Sequence, residues 1–294
     1  MRRDAFADCH PAVNFLFFAA VIGMGMFLNH PVCQGLSLVC ALTYLIRLRG
    51  GAQAMRQVGY LLPVLLGMSL LNPLFNHEGV TVLFYLPNDN PVTLEAICFG
   101  INASVTMGAS ILWFNCCNAV FTSDKIIYLF GRVIPAMSLM ISMTLRFVPR
   151  FKNHLQSVLQ AQRAMSKREG KLAALRLALT SFSATVSWAM EQSIVCADSM
   201  KSRGYGLGGR TAFSIYRFDR RDALVLTLTV VLAMGVILCA VTGALRWAFY
   251  PRITGTVLGP GQLAAYFLFG GVCLMPLTLD ALEERVWNSL QSNI

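Results

Sequence analysis

Seven apolar segments recur along the chain, separated by short polar or basic stretches. They span residues 13–28, 36–48, 58–71, 96–120, 126–145, 223–245 and 263–279. A helix that crosses a bilayer needs about 20 residues, a length that the last four segments meet comfortably. The first three are short, and two of them could form a tight hairpin or a partly inserted pair. The pattern predicts an all-α polytopic membrane protein with about five to seven membrane helices.

A polar stretch at residues 72–93 separates the third and fourth segments. Its two ends are rich in Asn, Pro and Gly, and the residues between them are β-branched or aromatic. This composition predicts a short hairpin at the membrane face. Thr93 and Glu95 then have the positions of a helix cap and a first-turn acid, so we expect a helix to begin there.

The segment after Val148 has a different pattern. Apolar residues recur every three or four positions on one side, and polar residues such as Lys152 and Gln156 occupy the other, which predicts an amphipathic helix. Gly170 interrupts it, and a second helix is expected from Lys171 to about Lys201. That helix is apolar enough to pack on its neighbour or on the membrane surface. Because each helix carries several charges in or near its middle, neither is expected to cross the bilayer.

Two residues are expected to shape the ends of these helices. Pro149 is tolerated in the first turn of a helix, where it would set the angle between the preceding span and the amphipathic helix. Gly204 is expected at the position just beyond the second helix, where glycine permits a chain reversal. The predicted organisation is therefore a transmembrane region at 1–146, cytoplasmic helices at 147–221 and a C-terminal transmembrane region at 222–294.

The low content of charged residues and their uneven distribution support a membrane location. The 294 residues are 56% hydrophobic and only 13% charged, whereas soluble domains carry about 25% charged residues. Fourteen of the 24 Lys and Arg residues lie between Arg146 and Arg221, and none lies between Arg56 and Lys125. The positive-inside rule places the basic segment in the cytoplasm. It also explains the net charge of +10, so no nucleic-acid partner is expected.

The topology of the first half contains a conflict. Arg47, Arg49 and Arg56 place the second loop inside, and the stretch at 72–95, without Lys or Arg, lies outside. Two further crossings would then leave Arg146 outside. Either one early segment does not fully cross, or residues 125–132 lie on a surface instead of starting a span.

The sequence offers no assembled catalytic or metal site. The four histidines are far apart, the nine cysteines form no Cys-x-x-Cys pair, and no Walker-type phosphate loop occurs. His77 with Glu78 is either a polar hairpin tip or a metal or proton site. The glycine-rich run at 204–209 is either a flexible loop or a phosphate cradle. We expect free, reduced cysteines, no metal and no cofactor.

The apolar spans carry almost no charge. Only Arg132 interrupts the segment at 126–145, and the segments at 96–120 and 223–245 have none. Ion-coupled carriers usually need a buried carboxylate, so these helices have the character of a scaffold for another, substrate-binding protein.

A resemblance to a known family begins at Leu145-Arg146-Phe147-Val148-Pro149-Arg150. An apolar span that ends in Leu-Arg-Phe-x-Pro and runs into an amphipathic helix resembles the transmembrane T component of energy-coupling factor transporters. The resemblance continues through Ala161-Gln162-Arg163-Ala164 and ends in Ala197 to Gly206, close to the second Ala-Arg-Gly signature of that family. It touches most of the chain from residue 72 to 206.

The resemblance implies two docking tips for partner ATPases, one at the end of each cytoplasmic coupling helix. The second tip is Ser202-Arg203-Gly204, which keeps the arginine and the glycine. The first would be Ala164-Met165-Ser166, where both are lost, although Lys167 and Arg168 follow closely. This departure implies an asymmetric pair of ATPases or a different groove. From the residues alone, Arg203 is equally a helix cap without a partner, and Arg146 a cationic anchor at the membrane edge.

The resemblance also implies a function. The chain would be a multi-pass, non-catalytic subunit in a prokaryotic cell (inner) membrane, with a pair or trio of coupling helices. Its partners would be two ABC ATPase subunits, the lipid bilayer and a small S subunit that binds a vitamin or metal ion. The alternatives are a membrane-embedded enzyme acting on a phospholipid-like substrate and a self-sufficient secondary carrier.

Overall fold

The computed structural model describes residues 5–76, 78–85, 91–131, 134–165, 170–208 and 216–291. These residues form nine α-helices and one two-stranded hairpin, which are α1 (Pro11–Phe27), α2 (Pro31–Arg49), α3 (Gly51–Phe75), β1 (Val82–Tyr85), β2 (Pro91–Thr93), α4 (Leu94–Val120), α5 (Ser123–Gly131), α6 (Pro135–Met165), α7 (Lys171–Ser202), α8 (Arg220–Val241) and α9 (Pro260–Gln291). Within them, six helices are long and apolar enough to cross a membrane: α2, α3, α4, α7, α8 and α9. The predicted all-α polytopic class is confirmed.

The chain divides into two compact units. The first, here called the membrane unit, comprises Met1–Thr122 and Tyr216–Ile294, and the second, the central unit, comprises Ser123–Ile215. The boundaries drawn from the sequence lay at 146 and 222, so the central unit begins earlier in the chain than the amphipathic pattern does.

Helix α4 is at the centre of the membrane unit, packed against α1, α2 and α3, while α9 contacts α2 and α8. Trp113 on α4 is buried and meets Phe17 and Phe18 of α1 edge-on, with ring centroids 6.0 and 6.3 Å apart. Its indole nitrogen donates a hydrogen bond to Ser37 Oγ of α2 at 3.0 Å. One side chain therefore joins three helices through both apolar and polar contact.

Small residues bring α3 and α4 close together. Gly100, Ser104 and Gly108 lie four residues apart on one face of α4. A Cβ atom at Gly100 would lie 2.8 Å from the Ser69 carbonyl oxygen of α3, and Ser104 Oγ donates to the Leu65 carbonyl at 3.0 Å. This spacing is the one that lets two membrane helices approach with their backbones nearly in contact.

One face of the membrane unit is rich in ionic contacts. Arg47 at the end of α2 pairs with Glu284 of α9 at 2.6 Å. Arg221 at the start of α8 pairs with Glu283 of α9 and donates to the Ala5 carbonyl at 3.0 Å. The first described residues and the ends of α2, α8 and α9 therefore share one face.

The opposite face is held by neutral polar and aromatic groups. The Tyr266 hydroxyl lies 3.1 Å from His30 Nε2, and Asn76 Nδ2 donates to the Tyr250 hydroxyl at 2.9 Å. Burial lowers the pKa of the His30 imidazole, so the neutral ring makes this contact at ordinary pH. Arg246 is one of the few basic residues on this side.

These two faces resolve the conflict in topology. The positive-inside rule assigns the face of Arg47 and Arg221 to the cytoplasm. Helices α1 to α4 then make four crossings, with α1 at the short limit of about 17 residues. The fourth crossing ends with α4 at Val120 on that face, and α8 begins there at Arg220, so the segment between them leaves from and returns to the cytoplasmic face.

The prediction of a single span over 126–145 was wrong. The structure divides this segment between α5, which ends at Gly131, and α6, which begins at Pro135. Helix α5 packs against α6, and Ser138 Oγ donates to the Ile127 carbonyl at 3.1 Å. A proline favours a helix start, which periodicity alone does not reveal. Arg132 lies outside the described residues.

The predicted hairpin and helix start are confirmed. Strand β1 pairs antiparallel with β2. Thr93 Oγ1 accepts a hydrogen bond from the Ala96 amide, and the Glu95 carboxylate accepts one from Thr81 Oγ1 at 2.8 Å. The tight pair expected among the first three segments is α2 and α3, which Gly50 alone separates. His77, the other residue of the possible His77–Glu78 site, lies outside the described residues.

The assigned topology predicts which loops are accessible from outside. An epitope inserted after Leu258, between α8 and α9, should be labelled by antibody in intact cells. The same epitope after Leu207, in the central unit, should be labelled only after permeabilisation. Both positions are strongly exposed, so accessibility reports sidedness, and the reverse labelling pattern would contradict the assignment.

The close approach of α3 and α4 predicts that one added methyl group at their contact lowers stability. Gly100→Ala should lower the unfolding midpoint of the detergent-purified protein, because its Cβ would clash with the Ser69 backbone. Gly67→Ala is the matched control, since a Cβ there meets nothing within 4 Å. It should leave stability unchanged or raise it by up to about 1 kcal/mol. Equal effects of the two changes would refute the packing argument.

Candidate functional site

Helices α6 and α7 form an antiparallel pair that makes up most of the central unit. The His154 and Trp188 rings stack, with centroids 3.9 Å apart and an interplanar angle of 12°. The Arg150 guanidinium lies 5.8 Å from the centroid of the same indole. Since Arg150 and His154 are four residues apart on α6, one turn of that helix holds Trp188 from two directions.

Helix α7 buries two small polar residues and exposes several large apolar ones. Ser181 and Thr185, which lie on its inward face, are fully buried, and Thr185 Oγ1 donates to the Ser181 carbonyl at 2.7 Å. Leu172, Leu179 and Met190 are 79%, 60% and 65% exposed. These three side chains therefore face away from α6, so of the two expected alternatives only packing on the membrane surface is left for them; small side chains let α6 and α7 approach closely.

The expectation that charges exclude α7 from a membrane also needs correction. No charged residue lies between Arg176 and Glu191, and the helix meets the length and composition of a membrane span. Helix α6 does not, because Arg146, Arg150 and Lys152 interrupt its middle.

The end of α7 has the geometry predicted for it. The Gly204 amide donates to the Lys201 carbonyl at 3.0 Å, and the Tyr205 amide donates to the Met200 carbonyl at 3.0 Å. Gly204 has φ +80°, the left-handed conformation that closes such a double hydrogen-bonded cap. Gly204 is therefore confirmed as the residue just beyond the helix, and Arg203 is the cap residue itself.

A groove of about 720 Å³ lies between the middle of α6 and the end of α7. Arg146, Arg150 and Arg203 line it, together with the polar side chains of Gln192 and Ser199. No carboxylate or imidazole is among the described residues that line it. Three cations in one groove create a strongly positive local potential, so the arrangement is suited to an anion.

The predicted site residues fall into two separate places. Arg146 and Arg203 line the groove, with Ser202 and Gly204 beside them. Arg163, Ala164 and Met165 lie at the far end of α6, about 27 Å along the helix axis from Arg146. Met165 is 72% exposed. Ser166, Lys167 and Arg168 lie outside the described residues.

The prediction for Pro149 was wrong. It lies inside α6, which begins fourteen residues earlier, at Pro135. The proline ring removes the hydrogen bond that the Leu145 carbonyl would otherwise accept. The junction expected at this position is thus an interior position of one helix.

Sequence reasoning gave no site role to the polar groove residues Arg150, Gln192 and Ser199, or to the stacked pair His154 and Trp188. A signal for the groove existed in the spacing. Arg146 and Arg150 are four residues apart, and Gln192, Ser199 and Arg203 follow the period of α7. What the spacing could not supply was the register of one helix against the other.

Two comparisons with known proteins, one with family models and one with curated proteins, give no match.

Within the described residues, no group of three or more His, Cys, Asp or Glu side chains could hold a metal ion. All nine cysteines are free, and burial raises the pKa of the Cys9 thiol to about 11. Cys9 is therefore a protonated, unreactive thiol at neutral pH.

The contacts of Trp188 predict that it stabilises the α6–α7 pair. Trp188→Ala should remove about 1–2 kcal/mol of stability, the sum of a ring stack and a cation–π contact. Amide hydrogen exchange of peptides from α6 and α7 should accelerate accordingly. Trp287→Ala on α9, where the ring is 59% exposed, should leave that exchange unchanged. Unaltered protection of α6 and α7 in the Trp188 variant would contradict the assignment.

Proposed function

We propose that the protein is the membrane scaffold and coupling subunit of an ATP-driven importer of the energy-coupling factor type. Two partner ATPases would dock on the central unit, and their motion on ATP binding would pass to the membrane unit. A separate small membrane protein would bind the transported vitamin or metal ion. The proposal places the complex in the cell membrane of a prokaryote.

The observation that carries this proposal is the geometry of the α6–α7 pair. His154 of α6 meets Trp188 of α7, while Arg146 lies beside Arg203, so the helices are antiparallel and their C-terminal ends point in opposite directions. The Arg203 tip and the Met165 tip are separated by about the length of eighteen helical residues, or 27 Å. Two ends so far apart can contact two different partner proteins, and a stiff helix pair can transmit relative motion between them.

The membrane unit supports the same proposal. The carboxylates of α4 and α8 lie in their first turns, at Glu95 and Asp222, and those of α9 lie in its C-terminal half, at Asp280, Glu283 and Glu284. Asp280 accepts a hydrogen bond from the Ala5 amide, and Asp222 accepts one from the His10 amide. These carboxylates hold the ends of the unit together, which is a structural role. A coupling scaffold has no need of a charged path through its centre.

The alternative of a membrane enzyme acting on a phospholipid-like substrate has one observation in its favour, the arginine groove. Chemistry on a phosphate or acyl ester needs a general base or an activated nucleophile. The described residues lining the groove include Ser199 and Cys196, and no carboxylate or imidazole is among them. The groove is therefore better suited to binding than to catalysis.

The docking role of Arg203 predicts a loss of coupling on charge reversal. Arg203→Glu should weaken co-purification with the ATPases, since disrupting a charge pair at an interface costs about 2 kcal/mol or more. That corresponds to at least about 30-fold in Kd. ATP-driven uptake in reconstituted vesicles should fall to the background level.

Arg176→Glu is the matched control, because this exposed arginine on α7 lies outside the groove. It should retain both co-purification and uptake. Both variants should insert in the membrane at wild-type levels, because both positions are exposed. Full uptake by the Arg203 variant would rule out a coupling role for this tip.

A further inference from the structure

The groove of the central unit brings like charges together. Arg146 and Arg150 lie one turn apart on α6, and Arg203 reaches the same groove from the end of α7. Like charges at this spacing destabilise a helix unless a counter-charge is present. The two ion pairs found among the described residues both lie in the membrane unit. The three guanidinium groups therefore lack a carboxylate partner in the described part of the chain.

The walls of the same groove are apolar. Met143 and Phe147 line it from α6, and Val195 and Met200 line it from α7. Its volume of about 720 Å³ is within the range of about 300–1,000 Å³ typical of small-molecule sites. An inorganic anion would satisfy the arginines but leave these walls in contact with water. The lining therefore fits a ligand that has an anionic part and an apolar part.

An exposed apolar surface leads into the groove along α6. Residues 135–145 carry no charge, and Met137, Met140 and Leu145 are 50%, 62% and 43% exposed. Eleven helical residues extend about 16 Å, close to the roughly 15 Å depth of one leaflet's hydrocarbon. Arg146 follows immediately, where a guanidinium group reaches the phosphate level while its stem stays in apolar surroundings.

We propose that this groove binds the phosphate headgroup of an anionic phospholipid, whose acyl chains lie along the exposed apolar face of residues 135–145 of α6. The arginines bind phosphate oxygens through paired N–H donors, a geometry that lysine does not provide. Ser199 and Gln192 supply neutral donors to the same group. The site goes beyond the proposed function, because it needs neither ATPases nor a transported substrate.

The test uses the full-length protein purified alone in a neutral detergent. Phosphatidylglycerol titrated into the micelles should raise the unfolding midpoint saturably, while phosphatidylcholine with the same acyl chains should not. Arg146→Gln with Arg150→Gln should weaken phosphatidylglycerol binding at least tenfold. Arg56→Gln with Arg176→Gln removes the same charge from two exposed positions outside the groove, and should bind like the wild type.

Each other outcome would overturn the proposal. Equal stabilisation by inorganic phosphate would make the groove a simple anion site, and equal stabilisation by a pentaglutamate peptide would make it a protein-docking site. Equal losses in the two double variants would show non-specific attraction to net charge.

If the glutamine pair does not fold, Arg146→Lys with Arg150→Lys keeps the charge and should still weaken phosphatidylglycerol binding severalfold. Unchanged binding by that variant would contradict phosphate recognition. ATP-driven uptake does not enter this test, so its outcome is independent of the coupling role.

Discussion

The cost of placing a charge in hydrocarbon, about 2.5–3.5 kcal/mol even on the insertion scale, determines how this chain is organised. It keeps the helices of the membrane unit apolar and gathers their charged groups at the ends. There the charges form contacts that hold separate parts of the chain together: Arg47 with Glu284, and Arg221 with Glu283. The same cost leaves the central unit as the place where basic residues accumulate, since 13 of the 24 Lys and Arg residues lie in Ser123–Ile215.

Within the membrane unit, the hydrophobic effect supplies little reason for one helix to pack against another, because lipid is as apolar as leucine. Close packing and internal hydrogen bonds supply the preference instead. The stripe of Gly100, Ser104 and Gly108 brings α3 against α4. Gln34 Nε2 donates to the Gly25 and Leu28 carbonyls at 2.6 Å, which closes the turn between α1 and α2. These polar contacts select one arrangement of helices that hydrophobicity alone would leave open.

The elements that local chemistry determines could be predicted from the sequence. The helical class, the hairpin near 72–93, the Thr93 start and the Gly204 end each depend on a few neighbouring residues. What failed depended on tertiary contact. Residues 126–145 have the composition of one span, yet Gly131 and Pro135 divide them into two helices that pack on each other. The sequence left open whether the apolar side of α7 packs on its neighbour or on the membrane surface, and contact with α6 selects Ser181 and Thr185 for the inward face.

The exposure of large apolar side chains on α7 connects these observations to function. In water, a helix that exposes Leu172, Leu179 and Met190 while burying serine and threonine would not be stable as a free surface. Such a face needs lipid or a partner against it, and the adjoining groove offers three arginines to whatever anion lies beside that surface. The two proposals meet at the Arg203 end of the α6–α7 pair, where the groove adjoins the Ser202-Arg203-Gly204 docking tip. A phospholipid bound at Arg146 would hold this end at the membrane surface beside one partner, while the Met165 tip, about 27 Å away along α6, would contact the other. A helix pair held at one end and driven at the other acts as a lever, which is the mechanical property that a coupling subunit requires.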